Sequence, residues 1–287
     1  MSYLDKINLC NRWRPKRFAP FLVDGTQVGW ITHERVRVLK GLGKVFVGAK
    51  GGIALNPKLK TPKARTEAVQ DIASDLRKTG LFPGLRKEMY AVKNRWSEDE
   101  YFRLDRGLVA AFGVRAYGVH VNGFVKAKDG LHLWIGTRAT DRMIEPGKLD
   151  NMVAGGQPAG LSLIQNVVKE CQEEAAIGAA RARRAKPASI ITYACERDGG
   201  LRADTLFCFD LEMPAREKPK PSEEIVGFEL MPVKEALRLV RTTNRFKFNV
   251  GLVIIDFAIR NGLITPEKEK DFEEIVSGLH RYPQQVV

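Results

Sequence analysis

The sequence predicts an α/β fold: helices sandwiching a mixed sheet in residues 114–287, preceded by a smaller α+β domain in residues 1–113. Three observations predict it. Alternating apolar stretches bounded by turn residues recur between stretches of helical periodicity, so neither an all-helical nor an all-strand class fits. At 287 residues the chain exceeds the usual single domain and can build two cores. Its charge is also divided unevenly. Residues 1–113 hold 22 Lys+Arg against 11 Asp+Glu, and residues 114–287 hold 25 against 23, within a net charge of +13.

Taken in order, Val28–Ile31 is expected as a strand after a basic loop, and Val45-Phe46-Val47 and Ile53-Ala54-Leu55 as short strands between glycine turns. A helix is predicted over 67–78, with Val69, Ile72, Ala73 and Leu76 inward and Gly80 as its stop. Ser97 and Glu100 have the spacing of a capping box, which predicts a further helix ending at Gly113. Tyr117–Lys126 and Leu131–Gly136 read as paired strands around Lys128-Asp129-Gly130. Ser189–Cys195 and Thr205–Leu211 read as a second pair, joined by Arg197-Asp198-Gly199-Gly200. A surface loop over 213–222 leads to a strand near Glu224–Met231 and a helix from Val233. Residues 249–260 are strongly apolar and predict a buried helix, and Pro266 after Thr265 predicts the start of a last one.

Composition bounds the function. Hydrophobic content of 44% and charged content of 28% are those of an ordinary globular protein. No apolar run reaches the roughly 18–20 residues of a membrane span. The start lacks the apolar core and small-residue cleavage site of a secretory signal. Cys10, Cys171, Cys195 and Cys208 show no C-x-x-C spacing or disulfide framework, so reduced thiols and a cytoplasmic location are expected. Basic excess suits an anionic partner. With no interleaved basic and aromatic motif, a phosphorylated small molecule is favoured over nucleic acid. Nothing in the sequence fixes an oligomeric state.

The chemistry concentrates in Gly155-Gly156-Gln157-Pro158-Ala159-Gly160-Leu161-Ser162 and the helix predicted over 163–177. Ile164, Val167, Val168, Cys171 and Ala175 fall on one apolar stripe, and Glu170, Glu173 and Glu174 form one acidic arc at i, i+3 and i+4. Like charges so placed repel. Divalent cations reverse that cost, because Mg²⁺ takes carboxylate oxygens and leaves positions for substrate phosphates. A solvated helix face is the plainer account of three glutamates alone; the glycine turn fixed upstream favours a site.

This stretch resembles the Nudix box, G-x5-E-x7-R-E-U-x-E-E-x-G-U, with U a bulky apolar residue. Gly155 takes the first glycine position, Glu170 the glutamate after Arg, and Glu173-Glu174 the paired glutamates. Leu161 stands in place of the first Glu, Lys169 in place of Arg, Ala176 in place of the late Gly, and Cys171 and Ile177 at the U positions. The resemblance implies a Nudix αβα sandwich and metal-dependent hydrolysis of a small-molecule diphosphate. Gly155 through its carbonyl, Glu170, Glu173 and Glu174 would hold Mg²⁺ or Mn²⁺, and Glu170 would be catalytic.

A narrower resemblance is to the Nudix branch related to thiamine pyrophosphokinase. It is carried by Tyr117-Gly118-Val119-His120-Val121-Asn122-Gly123-Phe124, Leu133-Trp134-Ile135, Arg138, Pro146 to Asn151, and Phe246-Lys247 with Asn249. In the basic half it is carried by Val28-Gly29-Trp30. It implies thiamine diphosphate or its oxy and oxo forms as substrate, giving the monophosphate and phosphate. Glu224 stands where this branch has a Gly-Glu pair and would be a second catalytic acid, with Glu223 in the glycine position. Arg138 would grip the terminal phosphate, and His120 and Trp134 would line the substrate site; against these stand a hairpin arginine, a satisfied strand histidine and a core tryptophan. A generalist Nudix hydrolase of nucleoside diphosphate derivatives and a non-catalytic phospholigand-binding module remain as alternatives. The basic half is expected to wall the substrate site.

Overall fold

The computed structural model describes residues 2–141, 144–197 and 199–282. Its larger sheet runs Lys186–Arg197, Gly200–Glu212, Arg115–Ala127, Gly130–Arg138, Ile225–Pro232. Gly200–Glu212 and Arg115–Ala127 are parallel and the other neighbours antiparallel, so the sheet is mixed as the sequence predicts. Of the predicted turn between Arg197 and Gly200, Asp198 lies outside the described residues. The strands on either side pair through to Arg197 and Gly200.

Alternation along the strands gives the sheet two apolar faces. Val119, Val121, Phe209 and Leu211 face the helix Leu163–Ala175. Ile191, Tyr193, Leu206 and Cys208 face the helices Val233–Thr242, Val250–Arg260 and Phe272–Gly278. Two helical layers about one sheet make the sandwich. Every residue from Val250 to Ala258 is buried, as the apolar run requires.

The hairpin Arg115–Ala127/Gly130–Arg138 forks. Its strands pair with each other only from Phe124 to Leu133. Beyond that, Val121–Gly118 pairs with Val153–Gly156, and Gly136–Thr137 pairs with Leu149–Asp150. The fork delivers the glycine turn to the opened edge, directly before the helix Leu163–Ala175.

The N-terminal half has its own four-stranded sheet, Thr26–Thr32, Phe18–Val23, Gly52–Leu55, Phe46–Ala49. Phe21 is the hub of its core, with Phe46, Phe102 and Phe112 rings 5.3–6.2 Å from it. The halves join where Trp13, Phe18 and Trp30 pack on Ala194 and Leu201. The helix Tyr3–Cys10, which carries no sequence expectation, crosses this divide: Ile7 and Cys10 are buried in the C-terminal core.

Three predicted helices are revised. The helix expected over 67–78 starts at Pro62, capped by Thr61, and breaks at Ile72 into Pro62–Asp71 and Ala73–Lys78. No helix starts at Ser97. Phe102–Asp105 is a strand paired with Met89–Val92, because Phe102 and Leu104 alternate into the core, and Glu100 pairs with Arg103 at 2.7 Å. Before Gly113 a 3-10 turn over Arg106–Leu108 leads into the single α-helical turn Val109–Phe112. After Thr265 a single turn forms, and the last helix is Phe272–Gly278, anchored by Ile275 in the core. No helix among the described residues is long and apolar enough to cross a membrane.

Candidate active site

Ser162 starts the helix Leu163–Ala175 with a capping box: Gln165 N–H donates to Ser162 Oγ at 3.3 Å, and Ser162 N–H to Gln165 Oε1 at 2.8 Å. Val167, Cys171 and Ala175 are buried at i, i+4 and i+8, but Ile164, expected on the same stripe, is 38% exposed. That rotation about the axis turns Glu170 and Glu174 inward and leaves Glu173 exposed.

Glu170 lies against the glycine turn. A Cβ on Gly155 would collide with its Cγ, Cδ and Oε1, so the turn needs glycine there to admit the carboxylate. Glu174 Oε2 accepts the Ala154 N–H at 2.8 Å. Asn166 Nδ2 donates to Gly156 O at 2.8 Å and Gln157 Nε2 to Leu161 O at 2.7 Å, bracing the turn from both ends. Three carboxylate or amide groups on the helix therefore grip the strand end Ala154–Gly156. Asn166 was legible in principle: a mid-helix Asn four residues before Glu170 is a poor helix former with a tertiary role.

The electrostatics follow from burial. Desolvation raises the Glu170 acid, and Lys169 partly restores it. Desolvation and then repulsion from Asp150 push Glu174 up to about 8. Lys169, at the position of the family arginine, bridges Glu170 Oε1 at 3.1 Å and Glu173 Oε2 at 2.8 Å. Among the described residues no three His, Cys, Asp or Glu side chains converge as a metal centre. The donor set nonetheless suits a hard cation: carboxylate oxygens along one helix, with Glu170 and Glu174 buried and a glycine cradle around Glu170.

The remaining predicted residues divide. Glu224 is half-buried beside the strand Ile225–Pro232, where its carbonyl accepts the Ala139 N–H at 2.9 Å. Arg138 is not available to grip a phosphate: it is buried, with Nη1 on Asp150 Oδ2 at 2.8 Å and Nε and Nη2 on Ile144 O. His120 is a buried strand histidine. Its Nδ1 donates to Asn151 Oδ1 at 2.8 Å, and desolvation lowers it to about 4, so it is neutral. Trp134 is 4% exposed in the core against the helix, which closes its face to a substrate ring. Arg138 and His120 belong to a buried network behind the site. Asn151 Nδ2 donates to Asn122 Oδ1 and Asn122 Nδ2 to Asp210 Oδ1, both at 3.0 Å, and Lys247 Nζ reaches Asp150 Oδ2 at 3.2 Å.

One wall of the turn comes from the other half of the chain. Ala159 N–H donates to Met89 O at 2.8 Å, and the Tyr90 hydroxyl fills the space a Cβ on Gly156 would need. Sequence reasoning missed both, because four-residue strands leave almost no periodic signal.

Residues 2–116 match a family model described as a domain of unknown function, DUF4743. The chain is 38% identical over 278 residues to Nudix hydrolase 20, chloroplastic, of Arabidopsis thaliana, covering 93% of this chain and 74% of that protein. It is 38% identical over 271 residues to Nudix hydrolase 24, chloroplastic, of the same plant, with the same shares covered. It is also similar to the crystal structure of DR0079 from Deinococcus radiodurans, at 18% identity and a TM-score of 0.46, over 58% of this chain and 98% of that one.

Proposed function

The chain belongs to the Nudix hydrolase family, and from that premise we propose that it hydrolyses thiamine diphosphate, or its oxy and oxo derivatives, to the monophosphate and phosphate. The observation that carries the hydrolytic reading is the grip of the helix on the glycine turn, with Glu170 seated on Gly155 and Glu174 on Ala154. The thiamine assignment rests on the resemblance of the segments around His120, Trp134 and Phe246-Lys247 to the thiamine-related branch.

Glu170, Glu173, Glu174 and the Gly155 carbonyl would hold Mg²⁺ or Mn²⁺, which when bound neutralises the diphosphate and lowers the pKa of a coordinated water. The chain's own residues do the rest. Glu170 Oε1 is held by Lys169, leaving Oε2 to accept a proton from the attacking water, and burial raises its basicity toward that task. Water oxygen bonds to the terminal phosphorus as the bridging P–O bond breaks, and the electron pair leaves on the thiamine monophosphate. Glu224 would assist that proton transfer. The buried network behind His120 holds the strand Val153–Gly156 in register. The basic half, taken as a domain over residues 1–113, walls the site and attracts the anion.

The test is phosphate release by the full chain from thiamine diphosphate, ADP-ribose and a nucleotide sugar, each with Mg²⁺ and Mn²⁺. The expected outcome is kcat/KM at least about tenfold higher for the thiamine compound, a difference of roughly 1.4 kcal/mol in transition-state binding. A preference for ADP-ribose would make the chain a generalist of the family. No turnover of any substrate would reduce the site to a phospholigand-binding module.

A further inference from the structure

The N-terminal half presents a charged pair to the glycine turn that the family's box does not include. The hairpin Met89–Val92/Phe102–Asp105 lies along the turn through the Met89–Ala159 hydrogen bond and the Tyr90 hydroxyl on Gly156. Its open end is built with care. The buried Asp105 carboxylate accepts the N–H groups of Arg86, Lys87 and Gly107, each at 2.8 Å. Those bonds hold Lys87 at φ +61°, a left-handed conformation that costs a non-glycine residue about 1 kcal/mol. The pinned loop sets Glu88 opposite Arg106: Arg106 N–H donates to Glu88 O at 2.8 Å, and Arg106 Nη1 meets Glu88 Oε2 at 3.0 Å.

Arg106 is held on Glu88, the residue before Met89, whose carbonyl bonds the glycine turn. Burial disfavours its charge, and Tyr90, Glu88 and, least, Glu170 favour it. Its side chain is 48% exposed, and Glu88 engages Nη1, one of its three guanidinium nitrogens. Arg138, the arginine that the resemblance offers for this work, is fully engaged on Asp150 and Ile144.

We propose that Arg106, carried on the hairpin of the N-terminal half and aligned by Glu88 and Asp105, is a diphosphate-binding residue of the active site. A guanidinium fork beside a carboxylate cluster suits the terminal phosphate oxygens, which it can engage with two parallel hydrogen bonds. Glu88 then has a dual part: it orients Arg106 and competes with the phosphate for it. This rests on the reading that the site takes a diphosphate.

The competition gives a test that a merely structural ion pair would fail. Binding of methylenediphosphonate, which cannot be hydrolysed at its P–C–P bridge, is measured by calorimetry on the full chain with Mg²⁺. Arg106→Ala should weaken binding about tenfold or more, the worth of one charge-assisted hydrogen bond, with Arg106→Lys intermediate. Glu88→Gln breaks the same ion pair yet should bind as tightly as wild type or tighter. Equal weakening by Arg106→Ala and Glu88→Gln would make the pair a structural clamp and overturn the proposal. So would wild-type affinity in Arg106→Ala, or no binding by the wild type. Wild-type binding with the expected pattern, but no hydrolysis of the substrate panel, would sink the hydrolase reading and leave Arg106 as a diphosphate ligand.

Discussion

Asp150 and Glu174 are both buried carboxylates, each interacting electrostatically with the other, and their acids move in opposite directions. Burial raises Asp150, but Lys247 and Arg138, at 3.2 and 2.8 Å, more than offset it and hold the acid below its usual range. Burial and Asp150 raise Glu174, and the Ala154 N–H and, more weakly, Lys247 do not prevent a rise to about 8. The difference separates structure from chemistry. Asp150 is neutralised within the fold and ties three segments together. Glu174 as a carboxylate is not compensated by the fold, so without a cation burial favours its protonated form, and a cation would take the proton's place.

Breaking the first of the pair should cost stability. Asp150→Asn leaves the buried Arg138 and the partly buried Lys247 without their carboxylate, a change worth about 3–5 kcal/mol. Urea unfolding would register it, and a loss under about 1 kcal/mol would mean that the two cations find other partners. Breaking the second should cost activity. Glu174→Gln keeps an acceptor for the Ala154 N–H but removes the charge, and kcat should fall roughly 10²–10³-fold. Stability in EDTA should hold or rise.

The same variant sharpens the comparison through pH. Glu174 has a folded pKa above its ordinary 4.5, so the folded state binds a proton that the unfolded chain releases. Its contribution is fully present below about pH 4.5 and is lost as pH rises through 8. Without metal, wild-type stability should therefore decline across that window more steeply than that of Glu174→Gln. Parallel curves from thermal melts in EDTA would show that Glu174 is ionised in the metal-free fold and would remove the contrast with Asp150.

How much of this was legible follows from the range of each signal. The strands Arg115–Ala127 and Gly200–Glu212 and the helix Val250–Arg260 declare themselves because long periodic stretches need no partner to be recognised. The three glutamates were legible as one arc, but which two would sink depended on the rotation that aims Glu174 at Ala154. Ser97 and Glu100 imitate a helix start locally, and pairing with Met89–Val92 overrides them. Arg138, His120 and Trp134 sit in the right segments, but their partners Asp150, Asn151 and the helix core decide what they do. The docking of Ile7 and Cys10 among residues some 240 positions away has no local signature at all.

The smallest effect concerns the helix end that carries Glu174. Ala176 occupies the position where the box pattern has glycine, and it caps the helix at φ +51°, ψ 33°. An L-residue in that left-handed region costs about 1 kcal/mol, because its Cβ crowds the following carbonyl. The conformation is imposed from outside the residue: Ile177 N–H donates to Cys171 O at 3.0 Å, and Ile177 is buried in the core beside Cys171. Ala176 itself is exposed and contributes no packing that glycine would lose. Ala176→Gly relieves the strain but frees the unfolded chain, which returns part of the gain. The net expectation is roughly 0.5 kcal/mol of added stability, or about 1–2 °C in Tm for a chain of this size. If this departure from the box is only a matter of strain, kcat should stay within about twofold of wild type. A many-fold change in kcat with an unchanged Tm would mean instead that Ala176 sets how the last turn presents Glu174 to Ala154, and the line drawn between structural and chemical carboxylates would have to run through the helix cap.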